Sequence, residues 1–259
     1  MLTEGRYNTR EFLAFTGAGL LEDKKTAFVG TGFPIVAAML AQKTHAPKLV
    51  IVFEAGGLGP LLPELPVSVG ESRTFHKAVA ASSMHDTMSL SQAGYMDFGF
   101  LGAAQMDVYG NINTTVIGDH DLPKSRLPGS GGANDVASFS HRLIIIIAKQ
   151  SKRTFVEKLD FLTTPGFLNG PNAREKAGLP RGTGPYRVIT QLGIYGFEDK
   201  TKRLKLISLH PGVTTDEVKE NSSFEIILPA KIETSPEPTD KDLRILRREI
   251  DPAGIVLGK

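Results

Sequence analysis

The chain has 259 residues, 41% of them hydrophobic, no cysteine, and a formal net charge of +2. That length and apolar content suffice for a full core and exclude a wholly disordered chain, while the missing cysteine excludes disulfides, thiolate nucleophiles, cysteine-based zinc sites and iron–sulfur clusters. Acids and bases are interspersed, and no aromatic residues interleave the basic runs Lys149-Gln150-Ser151-Lys152-Arg153 and Lys200-Thr201-Lys202-Arg203, which argues against nucleic acid as a partner.

The amino terminus, Met1-Leu2-Thr3-Glu4-Gly5-Arg6-Tyr7, lacks the basic, apolar, small-residue order of a signal peptide. Apolar runs such as Leu143 to Ala148, which reads as a buried strand, are far too short to cross a bilayer, so a soluble cytoplasmic protein without membrane association is expected. A helix is predicted from Thr9 with Phe12, Leu13, Phe15, Leu20 and Leu21 on its apolar side, followed by a strand at Ala27-Phe28-Val29 that runs into Gly30-Thr31-Gly32. Pro34 suits a first helical turn, His45-Ala46-Pro47 ends that helix, and Leu49-Val50-Ile51-Val52-Phe53 forms the next strand. A strand-helix-strand unit with parallel strands follows.

Glycine, proline and leucine dominate from Gly56 to Pro66, predicting a rigid irregular loop that walls a site. Met96 to Leu101 reads as a buried strand, Gln105 to Asn113 as two short strands around a turn at Gly110-Asn111, and the Gly129 loop, its helix and the strand Leu143 to Ile147 as a second unit. Beyond Gly166 strands are expected at Tyr186 to Thr190, Ile194 to Phe197 and Leu204 to Ser208, the last two as a hairpin. Thr214-Thr215-Asp216-Glu217 has capping-box spacing, and Lys241 to Ile250 reads as a terminal amphipathic helix stopped by Pro252. The expected fold is therefore α/β, an open, mostly parallel sheet with flanking helices and a small β-rich C-terminal portion, all within one domain, 1–259.

Two features point to chemistry. Glu54 ends an apolar strand and precedes Ala55-Gly56-Gly57, the strand end where open α/β sheets keep their reactive groups. Such a carboxylate can cap the turn, or act as base, metal ligand or covalent nucleophile; with no His or Asp in the same segment, base and ligand are disfavoured. The second feature, Gly129-Ser130-Gly131-Gly132-Ala133-Asn134 before a helix, offers backbone N–H groups to an anion or merely makes a tight turn. Gly30-Thr31-Gly32 departs from the dinucleotide fingerprint, because Ile35 stands at the third glycine. Asp119-His120-Asp121 is the tight acid-histidine cluster, but no second histidine falls at helical ligand spacing, so no metal is expected there.

Four ordered motifs carry a resemblance: Val29-Gly30-Thr31-Gly32-Phe33-Pro34, Phe53-Glu54-Ala55-Gly56, Gly102 to Asn113, and Gly129-Ser130-Gly131-Gly132-Ala133-Asn134. Together they resemble the family I CoA-transferases, of the glutaconate beta-subunit type, over nearly the whole chain, with the stretch beyond Gly166 matching less specifically. The resemblance implies that Glu54 attacks an acyl-CoA thioester, forms an acyl-glutamyl anhydride, becomes a glutamyl-CoA thioester, and passes CoA to an acceptor carboxylate. It implies that Gly131 and Gly132 form the catalytic oxyanion loop, and that Gly30, Gly32, Gln105, Gly129, Ala133 and Asn134 contact CoA. It further implies a partner alpha (A) subunit in a hetero-oligomer, CoA thioesters as substrates rather than a resident cofactor, and free, dicarboxylic or other short acids as acceptors.

Where family members often carry Ser-Glu-Asn-Gly, this chain has Phe53-Glu54-Ala55-Gly56, a departure that bears on substrate orientation more than on the nucleophile. The same fold also serves ring-opening CoA-ester hydrolases and decarboxylases that have lost the glutamate, and the retained Glu54 argues against both. A ligand-sensing subunit is the non-enzymatic alternative. Ser72, Arg73 and Arg126 are candidates to meet a substrate carboxylate, though isolated polar residues mostly serve the surface.

Overall fold

The computed structural model describes residues 6–258, so the stretch Met1–Gly5, on which most of the amino-terminal reading rests, lies outside the described residues. Within them the chain clusters into two compact units, one of residues 6–100 with 236–258, the other of residues 101–235.

The first unit opens with helix α1 (Thr9–Gly19), started by a capping box in which the Asn8 side chain accepts from the Glu11 N–H and the Glu11 carboxylate accepts from the Asn8 N–H. Phe12, Leu13 and Ala14 are fully buried. Then come β1 (Thr26–Phe28), α2 (Phe33–Lys43), β2 (Val50–Val52), β3 (Gly57–Leu58), β4 (Ala80–Ala81), α3 (Met84–Gln92) and β5 (Phe98–Gly102). Strand order is β5-β1-β2-β3-β4. β1 runs parallel to both β2 and β5, whereas β3 and β4 add antiparallel edges.

Helix α2 is buried from Ile35 to Ala41, each residue 2% exposed or less, as an apolar helix packed against α1 and the C-terminal helical segment must be. A terminal helix (Asp240–Ile245) continues into a single π turn, Leu246–Ile250, where Arg247 donates two hydrogen bonds to the buried Glu11 carboxylate at 2.5 and 2.9 Å. That pair holds the C-terminal segment on α1. Against the upward push of burial, it draws the Glu11 pKa down. The predicted irregular stretch after Gly56 begins in fact as strand β3, because Gly57 and Leu58 fold back on Val52.

The second unit contains the hairpin β6 (Gln105–Met106) and β7 (Ile112–Asn113), the hairpin β8 (Val116–Gly118) and β9 (Pro123–Arg126), helix α4 (Ala133–Phe139), and the strand β10 (Arg142–Ile147). Helix α5 (Ala173–Lys176), strands β11 (Pro185–Thr190), β12 (Gly193–Phe197) and β13 (Leu204–Leu209), helix α6 (Thr215–Glu220) and strand β14 (Glu233–Thr234) complete it. The order is β14-β13-β12-β11-β10. β10 and β11 are parallel, while β11, β12 and β13 form the antiparallel meander that is the expected β-rich portion. Leu143 to Ile147 are all buried, each contributing about 1.5–3 kcal/mol, which explains a continuous apolar strand without alternation. Thr214 caps α6 with Glu217 in the predicted box.

Candidate active site

Glu54 sits where β2 becomes a tight turn. The Gly56 N–H donates to the Phe53 carbonyl at 3.0 Å and the Phe53 N–H to the Gly57 carbonyl at 2.9 Å, so Glu54 and Ala55 occupy the two corners of a β-turn. Gly56 takes a positive φ of 111°, and a Cβ there would lie 2.0 Å from the Ser82 carbonyl oxygen. Only glycine fits. The Ser82 N–H donates to the Gly56 carbonyl at 2.9 Å, clamping the turn from below.

The Glu54 side chain is half-buried and, among the described residues, has no hydrogen-bond or ion-pair partner. The turn is held by its backbone. The carboxylate is thus not a turn cap. Parallel pairing of Phe28 with Val52 brings Gly30-Thr31-Gly32 off the same sheet end as Glu54. Gly32, with φ 82°, is the N-cap of α2 and supplies no side-chain cap, and a Cβ at Gly30 or Gly32 would meet nothing within 4 Å. Open backbone therefore stands beside the open carboxylate.

In the second unit the glycine loop is suspended at both ends. Gly129 donates to the Thr114 carbonyl at 2.8 Å and accepts from the Thr114 hydroxyl at 2.9 Å. Asn134 donates through Nδ2 to the Thr163 carbonyl at 3.1 Å, and its Oδ1 accepts from Ser138. The Ser130 carbonyl accepts from the Ala133 N–H at 2.9 Å and the Ser130 hydroxyl from the Asn134 N–H at 3.2 Å. Between those anchors the N–H groups of Gly131 and Gly132 have no acceptor among the described residues, and a Cβ at Gly129 or Gly131 would meet open space. Two free donors at adjacent residues suit an oxyanion or thioester oxygen.

Gln105 is placed differently. It is 6% exposed, donates through Nε2 to Asp160 at 2.9 Å and accepts from Asn113 Nδ2 at 2.7 Å, inside a network that also ties the N–H of Gly118 to Asp160. Asp107 and Asn111, from the same motif, are equally committed: Asp107 accepts from the N–H groups of Tyr109 and Asn111 and from Asn111 Nδ2, and Asn111 Oδ1 accepts from the N–H groups of Gly166 and Leu168. Burial pushes the Asp107 pKa up against those bonds. This motif builds the floor of the unit.

Arg73 pairs with Glu71 and Glu64 and donates to the Leu65 carbonyl, and Arg126 donates to the His120 carbonyl. One buried polar residue escaped sequence reasoning altogether. Arg174, 2% exposed, bonds four backbone carbonyls and a hydroxyl; a lone arginine in Ala-Arg-Glu-Lys carries no local mark of burial.

The sequence profile of the family described as Coenzyme A transferase matches residues 15–221. The chain belongs to the coenzyme A transferase family. It is 42% identical to the B subunit of 3-oxoadipate CoA-transferase from Pseudomonas knackmussii over 93% of this chain and 92% of that one. It is 36% identical to the B subunit of glutaconate CoA-transferase from Acidaminococcus fermentans over 95% and 93%. The crystal structure of the Acidaminococcus fermentans glutaconate enzyme superposes with a TM-score of 0.92 at 34% identity, covering 98% of both chains, so the expected α/β fold of a CoA-transferase chain is the fold observed. Among the described residues, no helix is long and apolar enough to span a membrane.

Proposed function

We propose that this CoA-transferase chain, acting as one subunit domain over 1–259, is the beta member of a cytoplasmic hetero-oligomer with an alpha subunit, and that Glu54 is its covalent nucleophile. The observation that carries this reading is the Glu54 carboxylate itself, held at the mouth of two parallel strands with no structural partner. A carboxylate is a weak nucleophile and gains from donors placed where charge develops, each contributing about 3 kcal/mol. In this reading Gly131 and Gly132 donate to the oxyanion. Gly30 and Gly32 present open backbone to CoA, Gly129, Ala133 and Asn134 anchor the loop that meets it, and Gln105 acts from beneath.

A Glu54 oxygen attacks the thioester carbonyl carbon, the C–S bond breaks, and CoA leaves as thiolate from an acyl-glutamyl anhydride. The thiolate then attacks the glutamyl carbonyl and expels the donor acid as carboxylate, leaving a glutamyl-CoA thioester. An acceptor carboxylate reverses both steps and departs as its CoA ester, with no water consumed and no redox change. The named relatives act on glutaconate and 3-oxoadipate, both dicarboxylic acids, which favours a short dicarboxylic acid here.

The test is intact-protein mass spectrometry of the chain co-purified with its alpha partner and mixed with a panel of acyl-CoAs. A CoA adduct mapping to Glu54 and discharged by an acceptor acid is expected. Acyl-CoA loss with no adduct and no need of an acceptor would turn the reading to a hydrolase.

A further inference from the structure

The glycine loop is fixed by a frame whose far corner is Arg174. At the near corner, Thr163 holds both loop anchors: its hydroxyl accepts from the Thr114 N–H at 2.9 Å, Thr114 in turn bonds Gly129, and its carbonyl accepts from Asn134. Two residues on, the carbonyls of Pro165 and Gly166 accept from Arg174 Nη1 at 3.1 and 2.8 Å. Arg174 Nη2 reaches the other end of α4, donating to the Ala137 and Ser138 carbonyls at 3.2 and 3.0 Å, and to the Thr183 hydroxyl at 3.0 Å. Those two carbonyls belong to the last turn of α4, where backbone acceptors lack helical partners.

The 163–166 segment thus holds the start of α4 directly and its end through one guanidinium. Its position is itself forced, because a Cβ at Gly166 would lie 2.3 Å from the Gly110 carbonyl carbon. No carboxylate pairs with Arg174 among the described residues. Burial pushes its pKa down to about 10, with Glu175 opposing. A surface lysine would cap a helix end at far lower desolvation cost, so an interior guanidinium without a counter-ion is costly for capping alone. It does leave a full positive charge at the back of α4, whose seven residues place the Gly131–Gly132 donors only about 10 Å away.

We propose that Arg174 is a positioning residue for acyl transfer: it locks α4 between the Pro165–Gly166 turn and Thr183, and so holds the Gly131 and Gly132 N–H groups, with its charge behind them, against the developing oxyanion. The inference rests on the reading that these two glycines serve the oxyanion. Arg174 makes no contact with substrate, so its loss acts on turnover and not on CoA capture.

The experiment compares wild type, Arg174→Lys and Arg174→Met, each co-expressed with the alpha subunit, in steady-state transfer and in single-turnover acylation of Glu54. Lysine keeps the charge but cannot bridge all four carbonyls, so kcat and the acylation rate are expected to fall roughly tenfold for lysine and a hundredfold for methionine, with KM for acyl-CoA within about threefold. A stably folded Arg174→Lys or Arg174→Met complex with wild-type kcat, or one whose defect lies in KM, overturns the proposal. If neither variant assembles, Thr183→Val, which removes one acceptor at the rim, decides: about a threefold fall in kcat at constant KM supports positioning, and an unchanged kcat reduces Arg174 to a stability role. Glu54→Gln run alongside separates the two readings. If it still transfers CoA, the nucleophile assignment fails and this inference with it, whereas an inactive Glu54→Gln beside a fully active Arg174→Lys ends this inference alone.

Discussion

Glu54 and Asp107 are both acids at the end of a short strand, before a tight turn that contains a positive-φ glycine. Their surroundings are opposite. Asp107 accepts three hydrogen bonds from the turn it opens, while the Glu54 turn closes through backbone groups alone and leaves the carboxylate free. An acid whose lone pairs are consumed by its own turn builds the fold; one whose turn stands without it is available for reaction. A carboxylate at a strand end before a glycine turn is common to the two, and hydrogen bonding separates them.

The sharpest way to break that comparison is to neutralise the free acid. Glu54→Gln is expected to lower CoA transfer to below about a thousandth of wild type, as loss of a covalent nucleophile does, while unfolding free energy stays within about 0.5 kcal/mol. Transfer assays beside urea titrations check both halves. The reverse holds for Asp107→Ala, which strands the Tyr109 and Asn111 N–H groups and should cost about 2–3 kcal/mol in urea unfolding. Equal stability in wild type and Asp107→Ala would show that the bonds are not what this turn depends on.

A third committed group sharpens the contrast by pH. His210 is 1% exposed, with Nε2 donating to the Thr190 carbonyl at 2.8 Å and Nδ1 accepting from the Ser235 hydroxyl at 3.0 Å. Burial pushes its pKa from 6.5 down to about 4, against the Thr190 hydrogen bond. Above pH 6.5 folded and unfolded chains both carry the neutral ring and its stabilisation is complete. Between 6.5 and 4 only the unfolded chain binds the proton, so stability falls with pH, by about 2 kcal/mol at pH 5. His210→Asn should flatten that slope in urea titrations at pH 7 and pH 5, and an unchanged slope would assign it to other groups.

What the sequence made legible follows from this difference between local and long-range bonding. Helix starts with their caps inside one turn, such as Thr214 with Glu217, and apolar strands such as Leu143 to Ile147 were readable because their determinants are contiguous. Helix α3 was not, since its buried residues are Thr87 and Ser91 rather than an apolar stripe. Its one available signal was the capping pair Ser83 and Asp86. Strand β9 reads Pro-Lys-Ser-Arg and has no alternation to detect. Within the candidate site, Glu54 and the glycines were legible from residue type and turn chemistry. The bond from Gln105 to Asp160, 55 residues away, and the clamp made by Arg174 were not, because nothing local to either residue encodes the partner.

Arg73 gives the smallest effect and the most discriminating one. By residue type it is a natural clamp for a substrate carboxylate in a CoA-transferase. Its guanidinium, however, already donates to Glu71 at 3.1 Å and to the Leu65 carbonyl at 3.2 Å, with Glu64 at 3.4 Å. A cation with two carboxylates on it offers little to a third, and recruiting it for substrate would mean breaking bonds that hold the 64–76 segment. Ion pairs this open to solvent contribute little to folding, so Arg73→Ala should leave the urea-unfolding midpoint close to that of wild type. KM for the acceptor acid should stay within about twofold, because no uniform binding interaction has been removed. A large rise in that KM at unchanged kcat would instead place Arg73 with Glu54 among the groups the fold leaves free for substrate, and would show that ion pairs in the resting structure can be exchanged for those of the bound acid.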